Sequence, residues 1–111
     1  MVAGIPVVVA RLDGLDSEGL RAAVDSVRER LPSGVTFLGA VTDGKVNLVS
    51  AVTKDLTARV HAGKLIQEIA KAVGGGGGGR PDLAQAGGKN PAELDRALAS
   101  VYDLIARAAG G

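Results

Sequence analysis

Six consecutive glycines, Gly74 to Gly79, run into Arg80-Pro81-Asp82. After the short stretch Leu83-Ala84-Gln85-Ala86 a second glycine pair follows, Gly87-Gly88. Glycine has no Cβ, so another molecule can approach its peptide groups closely. Successive free N–H groups form a concave site suited to phosphate or sugar oxygens. The same property lets the chain pass close to a sheet or a neighbouring backbone inside the fold. A glycine-rich loop alone does not separate these two uses. A flexible linker is the third use, and the context argues against it. The run begins at the end of an amphipathic pattern with no polar spacer. It leads into Arg80-Pro81, where proline fixes φ and restricts the residue before it.

Local charge favours a polyanion. Between Lys54 and Lys89 lie six basic residues (Lys54, Arg59, Lys64, Lys71, Arg80, Lys89) and three acidic ones (Asp55, Glu68, Asp82). The segment therefore carries an excess of three positive charges, which the whole-chain net charge of +1 conceals. Clustered cations beside accessible backbone suit nucleic acid; the plainer alternative is a solvated helix face. Phe37 and Tyr102 are the only aromatic residues, so bases are not stacked on a platform of rings. Recognition by shape, phosphate and 2′-hydroxyl fits better.

Catalytic chemistry is disfavoured. With no cysteine, disulfides, thiolate metal sites and a cysteine nucleophile are excluded. His61 is the only histidine and has no carboxylate cluster around it, so no metal site is expected. Ser17, Ser26, Ser33, Ser50 and Ser100 have no second histidine for a triad, and none lies in a nucleophile elbow. No carboxylate pair asks for acid–base work. The apolar run from Ile5 to Ala10 is too short for a signal core or a membrane span. The expected compartment is cytoplasmic, with no membrane partner.

The elements that must position the glycine block can be read from pattern. Ile5 to Ala10 is a β-branched run expected to form a strand covered on both faces, with Pro6 near its start. Asp16 or Ser17 caps a helix whose apolar face holds Leu20, Val24, Val27 and Leu31; Pro32 and Gly34 end it. Val35–Thr42 and Lys45–Val52 are strands joined by Asp43-Gly44, a two-residue hairpin signal. In the second strand Val46, Leu48 and Ser50 face one way, and Asn47, Val49 and Ala51 the other. A second helix is expected from Ala58 to Val73, then the glycine loop, then a short strand near Leu83–Ala86. Asn90 caps a last helix with Pro91 in its first position, Glu93 completing a capping box, and Leu94, Leu98, Val101 and Ile105 along its stripe. Gly110-Gly111 then ends it. The predicted order is βαββαβα: a single-domain α/β sandwich with a mixed sheet and one β-hairpin, spanning residues 1–111.

The block His61-Ala62-Gly63-Lys64-Leu65-Ile66, then Gly74 to Gly79, Arg80-Pro81-Asp82 and Ala84-Gln85-Ala86-Gly87-Gly88 resembles the C-terminal globular domain of alanyl-tRNA synthetases. The resemblance covers roughly Val35 to Ile105 and is densest from His61 to Gly88. The same glycine-rich domain type accompanies DHH-family phosphoesterases, where it binds substrate. Those relatives carry a histidine where this chain has Arg80, which favours the synthetase branch. The resemblance implies a non-catalytic domain that engages the tRNA elbow and helps aminoacylation and editing act on one alanine-specific tRNA. No cofactor belongs to this domain; ATP, magnesium and zinc serve other domains of the synthetase. Those other domains are implied partners, and DNA binding and a homodimer stay open. The chain begins directly at its first strand, so it reads as a piece of a larger synthetase. The RNA-facing residues implied are Gly74, Gly75, Gly76, Gly77, Gly78, Gly79, Arg80, Gln85, Gly87 and Gly88. Lys64 and His61 come next, because a helix N-terminus with basic side chains favours phosphate. Asp82 is expected to fix Arg80 or its loop. Oligomerisation or interdomain docking is the alternative use of the domain.

Overall fold

The hairpin turn forms as its residue types require: Asp43 and Gly44 both take positive φ, 52° and 74°. It joins β2 (Val35–Thr42) to β3 (Lys45–Val52) in full antiparallel register, from Thr42 opposite Lys45 to Val35 opposite Val52. The computed structural model describes residues 2–110, so the expectations for Met1 and Gly111 lie outside the described residues.

Around the hairpin the order is β1 (Val7–Arg11), α1 (Ser17–Arg30), β2, β3, α2 (Ala62–Ala72), β4 (Gly76–Gly79), β5 (Leu83–Gly88) and α3 (Leu94–Gly110). The sheet runs β1-β2-β3-β5-β4, with β1 parallel to β2 and the remaining pairs antiparallel. The mixed α/β sandwich is as expected. The strand count is not: part of the glycine loop is a fifth strand, β4, and the order is βαββαββα.

Side-chain alternation along β3 divides the core. Val46, Leu48 and Val52 join Val35 and Phe37 under α2 and α3, which contribute Leu65, Ile66, Ile69, Leu94, Leu98, Val101 and Ile105. Val49 and Ala51 face the other way and join Leu38, Ala40 and Leu83 beneath Leu20 and Val24 of α1. The two faces of β3 thus match its sequence alternation. Among the described elements, α1 is the helix that covers the second face. It lies over β2 and β3, and the sheet continues beyond it into β5 and β4.

Three local expectations need correction. β1 runs from Val7 to Arg11, not from Ile5 to Ala10, and is an edge strand: Val7 and Val9 pack on one core and Ala10 on the other, so both faces are covered, but its first four residues are only half-buried. Helix α2 begins at Ala62, not Ala58; Lys54–Leu56 is a separate short 3₁₀ turn and His61 caps the helix. Asn90 makes no side-chain cap, and Pro91–Glu93 is a 3₁₀ turn that leads into α3. Helix α1 behaves as written: the Asp16 carboxylate accepts from the Gly19 amide at 2.8 Å. Arg11 ties β1 to α3 through Asp95 at 2.9 Å and to the loop that follows the strand through Asp13 at 2.8 Å. These two carboxylates hold the guanidinium pKa above its ordinary value.

Candidate nucleic-acid interface

The first two glycines of the run close helix α2. Gly74 takes φ +70° and its amide donates to Lys71 O at 3.2 Å, while Gly75 donates to Ala70 O at 2.8 Å. This paired pattern is the Schellman motif, and glycine suits its left-handed position. The next four form β4, paired with β5 so that Gly76 faces Gly87, Gly77 faces Ala86, Gly78 faces Gln85 and Gly79 faces Ala84. Pro81-Asp82 makes the tight return, closed by the Arg80 amide on Leu83 O at 2.9 Å. By antiparallel alternation Gly76 and Gly78 also turn their polar groups toward β5. The N–H and C=O groups of Gly77 are left on the outer edge of the sheet, whereas the Gly79 carbonyl lies against Gly63 of α2.

Packing explains half of the glycines. A Cβ on Gly77 would lie 2.5 Å from the Ala86 Cβ, and one on Gly79 would lie 2.7 Å from Leu83 O. At Gly75 it would overlap Gly87 O, and at Gly88 it would meet the Val73 side chain at 2.5 Å. A Cβ on Gly76 meets nothing. On Gly78 it would come 3.2 Å from the Gln67 amide nitrogen, the far end of a flexible chain. Close backbone passage and an exposed backbone surface therefore coexist in one strand. Packing requires no side chain at alternate residues, and the strand between them stays bare.

The helix N-terminus differs from expectation. The Ala62 amide donates to Pro81 O at 2.8 Å and the Gly63 amide to Arg80 O at 3.2 Å. The Lys64 amide donates to His61 Nδ1 at 3.1 Å. The amides of the first three helical residues, which could cradle a phosphate, are thus used to hold the β4–β5 turn and the cap, and the helix's own ladder begins with the Leu65 amide on His61 O. What remains for an anion is side-chain charge. His61 accepts at Nδ1, which in the neutral ring assigns its proton to Nε2, a free donor. Lys64 is exposed.

The sequence-derived residues fall in three places. His61 and Lys64 line a groove of about 370 Å³ between α2 and the C-terminal part of α3, with Arg59 and Leu104. Gly74, Gly75, Gly76, Gly87 and Gly88 line a shallow depression with Lys45, Asn47 and Lys89. Gly78, Gly79, Arg80 and Gln85 line another, with Arg21 of α1. Gly77 lies between the last two in β4. Arg80 stands 3.5 Å from Asp82, a long contact that leaves its guanidinium largely exposed. Gln85 is exposed on the sheet surface. Sequence patterning missed Arg21 and Lys45. They are far from the glycines in the chain, and only the sheet order brings α1 and the hairpin beside β5. Among the described residues no group of three His, Asp or Glu side chains converges as metal ligands, and no helix is long and apolar enough to cross a membrane.

Comparison with known proteins fits this architecture. Residues 4–107 match the family described as the DHHA1 domain. The chain is 57% identical over 101 residues to the alanine–tRNA ligase of Solibacter usitatus, across 91% of this chain. It spans about 12% of the length of the curated relatives it matches. Its fold superimposes on the crystal structure of the C-Ala domain of Aquifex aeolicus alanyl-tRNA synthetase with a TM-score of 0.88 and 32% identity, covering 96% of each chain. A Vibrio pGpG-specific phosphodiesterase shares the fold alone, with a TM-score of 0.50 and 16% identity over 86% of this chain and 32% of the other.

Proposed function

The chain belongs to the DHHA1 domain family, as the C-terminal domain of an alanyl-tRNA synthetase, and from that premise we propose that it is a non-catalytic tRNA-binding module. It engages the tRNA elbow and helps the aminoacylation and editing centres of a larger protein act on one molecule. Its partners on this reading are alanine-specific tRNA and the other domains of that protein, in the cytoplasm. Activation of alanine and removal of wrong amino acids belong to those other domains.

The observation that carries the proposal is the bare strand β4 with cations beside it. Polyglycine backbone stands at a sheet edge with Arg80 at one end and Lys45 and Lys89 at the other. An RNA backbone can approach such a surface without side chains in the way. Arginine and lysine neutralise its phosphates, and phosphate contacts position an RNA without reading its sequence.

A titration with intact tRNA and with tRNA lacking the elbow tests the proposal, read by chemical-shift changes over residues 74–88. Binding should weaken as salt rises. Arg80→Ala and Lys64→Ala should each weaken it while the fold persists. Unchanged affinity in both variants at low salt overturns the assigned surface, and equal binding of the elbow-deleted tRNA overturns the elbow.

A further inference from the structure

Helix α1 covers β2, β3 and Leu83 at the start of β5, and leaves the rest of β5 and β4 beyond it on that sheet face. Its outward side there carries Ser17, Glu18 and Arg21. Arg21 lines one depression with Gly78, Gly79, Arg80 and Gln85, a hollow of about 300 Å³ lined by two guanidinium groups and no carboxylate. It also lines the adjoining hollow with Ser17, Glu18 and Gln85. Ser17 in turn reaches Asn47 at 3.5 Å, and Asn47 lines the depression that holds Lys45, Lys89 and the first glycines. Two of the hollows share Arg21 and Gln85, and the Ser17–Asn47 contact lies between them and the third.

We propose that Arg21 is a phosphate-contacting residue of the RNA surface, and that this surface spans the α1-side face of β5 and β4 as well as the edge of β4. The inference rests on the RNA-binding function proposed above. Arg21 and Arg80 border one hollow, and a phosphate there accepts charge-assisted hydrogen bonds from both. Arg21 is weakly held within the protein: its contact with Asp25 is long, 3.9 Å, and its side chain is 44% exposed. Arg80 is 69% exposed and its Asp82 contact is 3.5 Å. Both can turn to a ligand at little cost, and a planar fork suits a phosphate better than an ammonium does. The bare glycines beneath let the RNA backbone come within reach of both.

The test is tRNA binding by the full chain over a salt series, with Arg21→Ala, Arg21→Lys and Arg28→Ala. Arg28 lies on the same helix and contacts the same carboxylate, Asp25, at 3.8 Å, but lines none of the three hollows. It controls for general charge. Arg21→Ala should weaken binding about three- to tenfold at low salt and lower the salt slope by about 1. Arg21→Lys should recover part of the affinity, and Arg28→Ala should leave it near that of the unaltered chain. Circular dichroism and thermal unfolding check that each variant is folded. Equal affinity of Arg21→Ala and the unaltered chain overturns this inference alone. So does an equal loss in Arg28→Ala, which would reduce Arg21 to a share of the overall field. No tRNA binding by the unaltered chain overturns the RNA-binding function and this inference with it.

Discussion

Gly63 of α2 and Gly79 of β4 meet backbone to backbone: a Cβ on Gly63 would stand 2.6 Å from the Gly79 carbonyl oxygen. The contact places the first turn of the helix directly on the end of the glycine strand. Two amides of that turn, from Ala62 and Gly63, hold the carbonyls of Pro81 and Arg80. Helix, strand and turn are therefore one unit, and Arg80 inherits its position from α2.

Gly63→Ala forces this unit apart. Helix propensity favours alanine by about 1 kcal/mol, but the atom facing it is the Gly79 backbone oxygen, which cannot swing away. Overpacking should win, with a net loss of about 1–3 kcal/mol. Urea denaturation measures it, and amide shifts of Arg80 to Asp82 should move with it. A variant as stable as the unaltered chain, with those shifts unmoved, refutes the contact.

Within β4, neighbouring glycines should respond in opposite ways. Gly77→Ala drives a methyl into Ala86 and should cost about 1–3 kcal/mol. Gly76→Ala meets open space, and restricting the unfolded chain should leave stability unchanged or raised by about 0.4–1 kcal/mol. Comparing the two by thermal unfolding separates packing from exposure. If Gly76→Ala keeps stability and still weakens tRNA binding, the bare backbone at that point is in contact with RNA.

The contrast between these glycines also shows where the sequence stops being informative. The hairpin was legible because Asp-Gly at two positive-φ positions is a local requirement, and the faces of β3 were legible because alternation is local too. The strand Gly76–Gly79 was not. Glycine has neither side-chain pattern nor strand preference, so its extended form comes from β5 and α2, which clamp it. The glycine and arginine residues of the candidate surface could be named from their motif. Arg21 and Lys45 could not, because they reach β5 only through strand order. The free amides expected at the start of α2 were misplaced for a related reason: their acceptors, Pro81 and Arg80, arrive from the far side of the glycine run.

Acid should destabilise the fold in a way that two carboxylates report. The Asp13 carboxyl is held below its ordinary 3.8 first by its hydrogen bond to Arg11 and then by the Val41 amide. Asp55 is held below the same value, first by the Ser33 hydroxyl. A folded-state pKa below the unfolded one means that the folded state binds fewer protons in this range. The stabilisation is present above pH 3.8 and fades as pH falls through the folded pKa values. Thermal unfolding from pH 7 downward should show a falling Tm at the acid end. Asp13→Asn and Asp55→Asn should each flatten that fall, and an unchanged acid limb in both would remove these carboxylates from the account.

Ser50 carries a hydroxyl with no use in the fold. It is fully buried on the α2 and α3 side of β3, opposite Phe37, and its Oγ has no hydrogen-bond partner among the described residues. Burying such a group unpaired costs about 1–3 kcal/mol. Ser50→Ala removes the hydroxyl and leaves only a small space, so stability should be unchanged or raised. A loss above about 1 kcal/mol in denaturant would mean that the hydroxyl has a partner after all.

His61 holds two roles that substitution can divide. As a cap, its Nδ1 accepts from the Lys64 amide; as a candidate RNA contact, its ring lines the groove shared with Arg59 and Lys64. Asparagine is a good cap and has no imidazole, so His61→Asn should preserve stability. His61→Ala loses the cap and should cost about 1 kcal/mol. If the imidazole contacts RNA, both variants should weaken tRNA binding alike, although only one is less stable. If His61 serves only α2, His61→Asn should bind as the unaltered chain does. Equal stability of the two variants would instead remove the cap, leaving the Lys64 amide to solvent. The two measurements together assign His61 to the helix, to the RNA, or to both.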